Sequence, residues 1–103
     1  MSKMNTSIKY TKSDLQLSED ALLDAIIQVG KELEKSDTPR SRTLSKRLLS
    51  NFNNYDENKM STMLKNFQHL LVECASGNEE GTLDVAYVVE DKSVSLAQVI
   101  MCE

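Results

Sequence analysis

Apolar residues recur at helical spacing through the middle of the chain and predict three helices. The first is expected to begin after Ser18, whose hydroxyl suits an N-cap, and to end near Ser36. The second follows Thr38, with Pro39 at its first position, where a missing N–H costs nothing. It is expected to stop in the polar stretch 53–55, because that composition is typical of a turn.

The third predicted helix opens at Asp56 and ends at Gly77, where we expect a left-handed residue. The same periodicity places Ile27 and Leu49 among the buried residues of the first two helices. Seven residues are expected to form the core or a dimer face: Leu22, Ile26, Leu33, Met60, Leu64, Phe67 and Leu71.

The last quarter of the chain changes period. Polar and apolar residues alternate from Leu83 to Val89, which predicts a strand with one buried face. The strand could return as a hairpin around Asp91 and Lys92, although that turn lacks the favoured glycine or asparagine. Alternatively, Ser93 or Ser95 caps a short final helix. We favour the hairpin, so the predicted fold is mainly α, of the α+β class.

The chain has 103 residues, which is the size of one domain. Within it we expect a polar arm at residues 1–12, a three-helix core at residues 13–77 and an acidic strand element at residues 78–103. No apolar run is long enough to cross a membrane, and the N-terminus has no apolar segment typical of a secretory signal. We therefore expect a cytoplasmic protein without a membrane partner.

Charge is unevenly distributed, although the formal net charge is only −4. Residues 78–103 are acidic, whereas residues 38–55 carry bases and no acid. Such a division favours a charged partner or contact between two copies. The candidate residues for binding a partner or a nucleic acid are Arg40, Arg42, Lys46 and Arg47.

Few residues offer catalytic or metal chemistry. His69 is expected to point outward, and the two cysteines, Cys74 and Cys102, form no metal-binding or redox motif. Reduced, buried thiols are therefore expected. No nucleophile with a base and no glycine-rich phosphate loop is present, so we expect no enzyme, no cofactor and no metal.

Three functions fit these observations. The first is a non-enzymatic regulator that acts by protein contact, as a homodimer through the first and third predicted helices. The second is a DNA-binding regulator that uses the basic second helix, because the order of the elements resembles a winged helix. However, Asp56 and Glu57 at the start of a recognition helix would repel phosphate. The third is a small phage or plasmid inhibitor of a host protein.

Three segments carry a family resemblance: IKYTKSDLQLSEDALLDAI, RSRTLSKRLLSNF and ENKMSTMLKNFQHLLVE. In layout they resemble the small enterobacterial biofilm and acid-resistance regulators of the AriR/YmgB type, over residues 8–74. The resemblance implies an all-helical dimer without enzymatic activity that binds a regulatory protein, with DNA contact as a further possibility. The corresponding positions are Tyr10, Leu22 to Ile27, Arg42, Lys46, Leu48, Leu49, Leu70 and Leu71.

Overall fold

The described part of the chain, residues 10–53 and 56–101 of a computed structural model, is all-helical. Within these residues there is no strand, and the extended pairing is an isolated antiparallel bridge between Thr11 and Thr82. The expected α+β class is therefore wrong. The six helices are α1 (Lys12–Leu17), α2 (Glu19–Ser36), α3 (Pro39–Asn53), α4 (Glu57–Ser76), α5 (Val85–Asp91) and α6 (Ser93–Ile100).

The three helices predicted from apolar spacing are confirmed as α2, α3 and α4, and each begins at the expected cap. The Ser18 hydroxyl accepts a hydrogen bond from the Ala21 N–H at 3.1 Å. The Thr38 hydroxyl accepts one from the Ser41 N–H at 3.0 Å. The Asp56 carboxylate accepts two, at 3.1 and 3.2 Å, from the first turn of α4. These bonds satisfy donors that the helix itself leaves unpaired.

The end of α4 differs from the prediction. Gly77 is right-handed, with φ −82° and ψ −6°, and its N–H donates to the Glu73 carbonyl at 3.0 Å. The chain then makes a further turn, in which the Gly81 N–H donates to the Asn78 carbonyl at 2.9 Å. The left-handed residue is Gly81, with φ 71°. The prediction that Gly77 is left-handed is therefore wrong, because the left-handed residue comes one turn later, at Gly81.

The predicted C-terminal hairpin is wrong, because the segment forms α5 and α6. Asp84 caps α5 by accepting hydrogen bonds from the N–H groups of its first turn, at 3.0 and 3.3 Å. Val88 and Val89 are buried and Val85 is partly buried, so the apolar residues lie at i, i+3 and i+4. The seven residues from Leu83 to Val89 fit both the alternation of a strand and the spacing of a helix. Packing against α2 selects the helix.

The alternative of a final helix is the one that the structure adopts. Leu96, Val99 and Ile100 of α6 are buried. Neither expected serine caps it: the N-cap residue is Lys92, which makes no side-chain capping bond. α6 packs against α3, α4 and α5 and so helps to close the core.

The start of the described chain is anchored rather than loose. Tyr10 is buried, and its hydroxyl donates to the Asp24 carboxylate of α2. Its carbonyl accepts a hydrogen bond from the Leu83 N–H at 2.8 Å. Residues 1–9 of the predicted arm lie outside the described residues.

α1 is a helix that the sequence analysis did not predict. Thr11 and Asp14 form a reciprocal capping box, and Leu15 is fully buried. The Gln68 side chain of α4 donates to the Leu15 carbonyl at 2.9 Å. A single buried residue in six gives no periodic pattern, so only the cap spacing could have indicated this helix.

The core is shared by all six helices. α2 packs against α1, α3 and α5, whereas α4 packs chiefly against α1 and α6. The residues expected to form the core or a dimer face pack inside a single chain. Leu22, Ile26, Leu33, Phe67 and Leu71 are buried, and Met60 and Leu64 pack against them half-buried.

The cap of α5 provides a test of the C-terminal fold. We expect Asp84→Ala to lower the free energy of unfolding by about 1 kcal/mol, because two N–H groups lose their acceptor. Urea unfolding followed by circular dichroism measures this change. Glu90→Ala, at an exposed position within the same helix, is the control and should change stability by less than about 0.5 kcal/mol. Equal effects would contradict the capping role.

Tyr10 provides a pH test. Burial raises the pKa of its phenol well above the ordinary value of 10.0, and the hydrogen bond to Asp24 and the charge of Asp24 raise it further. The protonated phenol therefore stabilises the fold fully below pH 10, and this contribution is lost as the pH rises above that value. We expect up to about 1.4 kcal/mol of lost stability per pH unit.

Tyr10→Phe should remove this alkaline loss and lower stability at neutral pH by roughly 1–2 kcal/mol, since the hydrogen bond is gone. Urea unfolding between pH 8 and about 11.5 measures both effects. Tyr87→Phe, at an exposed ring, is the matched control. An unchanged alkaline slope in Tyr10→Phe would show that the phenol does not hold its proton in the fold.

Candidate protein-interaction groove

α2 and α3 form a helical hairpin with a two-residue connection, Asp37 and Thr38. Asp37 is left-handed, with φ 51°, which lets the chain reverse sharply. Its carboxylate accepts a hydrogen bond from the Arg42 guanidinium at 2.7 Å. The two helices therefore run antiparallel and pack against each other.

Gly30 lies where the two helices come close. A Cβ atom placed on it would be 3.5 Å from the Leu48 side chain, which is an ordinary contact distance. Glycine inside a helix lowers stability by roughly 0.5–1 kcal/mol relative to alanine. Its effect here is to leave an open floor between the side chains on either side.

An apolar groove of about 230 Å³ runs over this floor. Ile27 of α2 is 50% exposed and Leu49 of α3 is 61% exposed, so two large apolar side chains face solvent across it. Both side chains were expected to be buried, and this prediction is wrong. Its lining residues are Ile26, Ile27, Gly30, Lys31, Glu34, Ser45, Leu48, Leu49 and Phe52.

The basic residues predicted for binding are all exposed, but the helix separates them into two pairs. At about 100° per residue, Arg42 and Lys46 lie within about 60° of Leu49 around α3. Arg40 and Arg47 lie about 100° or more farther round the helix. Arg47 lines a different depression, beside Asp56 and Lys59. The four cations therefore do not form one stripe.

The DNA-binding alternative gains no single basic stripe from this arrangement. Asp56 is engaged as the N-cap of α4, and it places an acid at the start of the would-be recognition helix. Asn54 and Tyr55 of the expected turn lie outside the described residues. Nucleic-acid binding therefore stays a prediction, and α3 offers no continuous basic surface to support it.

A second depression, of about 500 Å³, is lined by charged, aromatic and thiol side chains. It is lined in part by Cys74, Asp84, Tyr87 and Lys92. Burial raises the pKa of the Cys74 thiol, against the opposing effect of Lys92. A protonated, buried thiol is a poor nucleophile, so this arrangement favours a structural role for Cys74.

The predictions for His69 and Cys74 are confirmed. His69 is exposed, as expected. Cys74 is a free, buried thiol, and Cys102 lies outside the described residues. Residues 10–53 and 56–101 contain no cluster of histidine, cysteine or acidic residues that could hold a metal ion. Among the described helices, none has the length and apolar character needed to span a membrane.

Comparison with known proteins adds no relative: no family model matches the chain, and neither the curated proteins nor the solved structures give a significant match. The candidate site therefore rests on its own geometry. Its apolar members were visible in the sequence as the edges of two stripes, at Ile27 and Leu49. The sequence does not show which other helices cover each stripe. It therefore could not show that these two side chains stay exposed.

The groove floor makes a testable contribution to stability. We expect Gly30→Ala to raise the free energy of unfolding by about 0.5–1 kcal/mol, because the new methyl group fits and the helix gains propensity. Gly81→Ala should instead lower it by roughly 1–2 kcal/mol, since φ there is 71°. Thermal or urea unfolding measures both. A loss of stability in Gly30→Ala would show that the two helices are packed too closely for a Cβ.

Proposed function

We propose that this chain is a non-enzymatic regulatory protein that acts by holding a protein partner in the groove between α2 and α3. The observation that carries the proposal is the joint exposure of Ile27 and Leu49 on either side of Gly30. Single exposed apolar residues are common on protein surfaces. Two large ones facing each other across an open floor are typical of a site for apolar side chains of a partner.

The placement of the groove supports this function. Phe52 and Leu48 continue the apolar lining inward, so a partner side chain would contact the core. Lys31 and Glu34 lie on the α2 side and supply a polar rim. An apolar centre with a charged rim is the usual anatomy of a protein interface.

The proposal departs from the expected dimer face. The apolar faces of α2 and α4 that were expected to pair between copies are covered within the chain by α1, α5 and α6. The resemblance to AriR/YmgB-type regulators would agree with a binding role, and it remains a proposal. We rank nucleic-acid binding lower because Asp56 and Glu57 place acids at the start of the would-be recognition helix.

Site-specific photo-crosslinking tests the function. A benzophenone side chain placed at position 49, in cells that naturally produce the protein, should give protein adducts that are suppressed by a second change, Ile27→Asp. The matched control is position 94, since Val94 is 64% exposed and Leu49 is 61% exposed. Adducts should be at least about fivefold more abundant at position 49 than at position 94, because a bound partner excludes water from the groove around position 49.

Equal yields at positions 49 and 94, or yields at 49 that ignore Ile27→Asp, would refute the groove as a binding site. Unfolding of each purified variant shows that the fold is intact, which is expected because all three side chains are exposed. Mass spectrometry of the adducts then separates a second copy of this chain from a different protein.

A further inference from the structure

The depression beside Cys74 lies between the end of α4 and the length of α5. It exists because α5 packs chiefly against α2 and α6 rather than against α4. The buried Cys74 side chain is part of its lining. Its volume of about 500 Å³ is within the range of roughly 300–1,000 Å³ that is typical of small-molecule sites. The depression is therefore large enough to hold a small metabolite.

Three charged side chains line this depression, and they are divided between its two ends. Asp84 and Lys92 flank α5, eight residues apart, which is about 12 Å along a helix axis. Glu73 lies at the Lys92 end, because it also lines a neighbouring depression with Ser95 and Gln98 of α6. One end therefore offers an acid and a base, and the other end offers an acid.

These three charges are available to a ligand. Within residues 10–53 and 56–101, the side chains of Glu73 and Lys92 form no ion pair or hydrogen bond. The Asp84 carboxylate caps α5 through Oδ1, which leaves Oδ2 as an acceptor. Lys92 is half-buried, so salt screens a charge bound to it less than it screens one on an exposed surface.

We infer that this depression binds a free amino acid with a positively charged side chain. The ligand carboxylate pairs with Lys92, the α-ammonium group pairs with Glu73, and the side-chain cation pairs with Asp84. Two acids and one base in the lining complement two cations and one anion in the ligand. The inference goes beyond the proposed function, because none of these residues lines the groove between α2 and α3.

Other small ligands complement the lining less well. A neutral amino acid leaves Asp84 without a partner, and a diamine leaves Lys92 without one. A phosphate or a simple carboxylate meets Lys92 but is repelled by Glu73 and Asp84. The arrangement of charge therefore selects a molecule that is zwitterionic at one end and cationic at the other.

Gly77 leaves the wall of the depression open. A Cβ atom at this position would meet only the carbonyl oxygens of Glu73 and Cys74, at 3.6 and 3.8 Å. Its φ of −82° suits any residue. A larger side chain can therefore be placed here without strain, and Gly77→Leu should fill the site rather than disturb the fold.

Titration of the isotope-labelled full chain, followed by NMR amide shifts, tests the inference with four small molecules. Lysine should bind with a Kd of about 0.1–1 mM, since each partly exposed ion pair contributes little. Cadaverine lacks the carboxylate, 6-aminohexanoate lacks the α-ammonium group, and norleucine lacks the side-chain cation. Each should bind about threefold or more weakly than lysine. The shifts should cluster in residues 73–78 and 84–92.

Each variant should remove one of these preferences. Lys92→Met should bind lysine no better than cadaverine, and Glu73→Gln should bind it no better than 6-aminohexanoate. Asp84→Asn, which keeps a capping side chain, should bind lysine no better than norleucine. Gly77→Leu should weaken lysine binding at least about tenfold by filling the site. Lys65→Met, at an exposed position of α4 outside this depression, is the control and should bind as the unchanged chain does.

The opposite results overturn the inference. A Kd for lysine above about 10 mM does so, as do shifts that cluster elsewhere in the chain. Equal binding of lysine and cadaverine would exclude an amino acid, and lysine binding that Gly77→Leu leaves unchanged would exclude this depression. Circular dichroism of each variant verifies the fold. If lysine binds here while position 49 gives no specific adducts, the proposed function is wrong and this inference stands.

Discussion

Burial of the apolar face of α2 is the constraint on which the rest of the structure depends. This face is wide, and no single neighbour covers it: α1, α3 and α5 each pack against part of it. These helices come from the two ends and the middle of the chain, so the core forms only when distant segments meet. Its fully buried members include Ala25, Ile26 and Val29. Burial of such side chains supplies the main favourable free energy of folding.

A few polar bonds hold the ends of the helices against this core. Asn51 of α3 donates to the Ile100 carbonyl at 3.0 Å and so ties the end of α6 to α3. Gln68 does the same for α1, and Tyr10 joins the start of the described chain to both α2 and the segment before α5. Buried or half-buried carbonyls without a partner would cost free energy, which these side chains avoid. The caps of the long helices act locally, whereas these bonds act between helices.

The groove follows from the same geometry. α2 has a broader apolar stripe than the neighbouring helices cover, and Ile27 lies at its uncovered edge. Leu49 occupies the corresponding edge of α3, and Gly30 keeps the floor between them open. One side of the α2–α3 hairpin therefore packs into the core, and the proposed binding groove lies on another side.

The sequence by itself determined α2, α3 and α4, because their apolar residues keep a helical period over more than two turns and their caps are local. It also placed the bases on the exposed side of α3. Only the tertiary structure decided the C-terminal fold, since the short run from Leu83 to Val89 satisfies two periods and packing on α2 chooses between them. The same holds for Ile27 and Leu49. Periodicity gives the angle of a side chain around its own helix, whereas exposure depends on which other helix arrives at that angle.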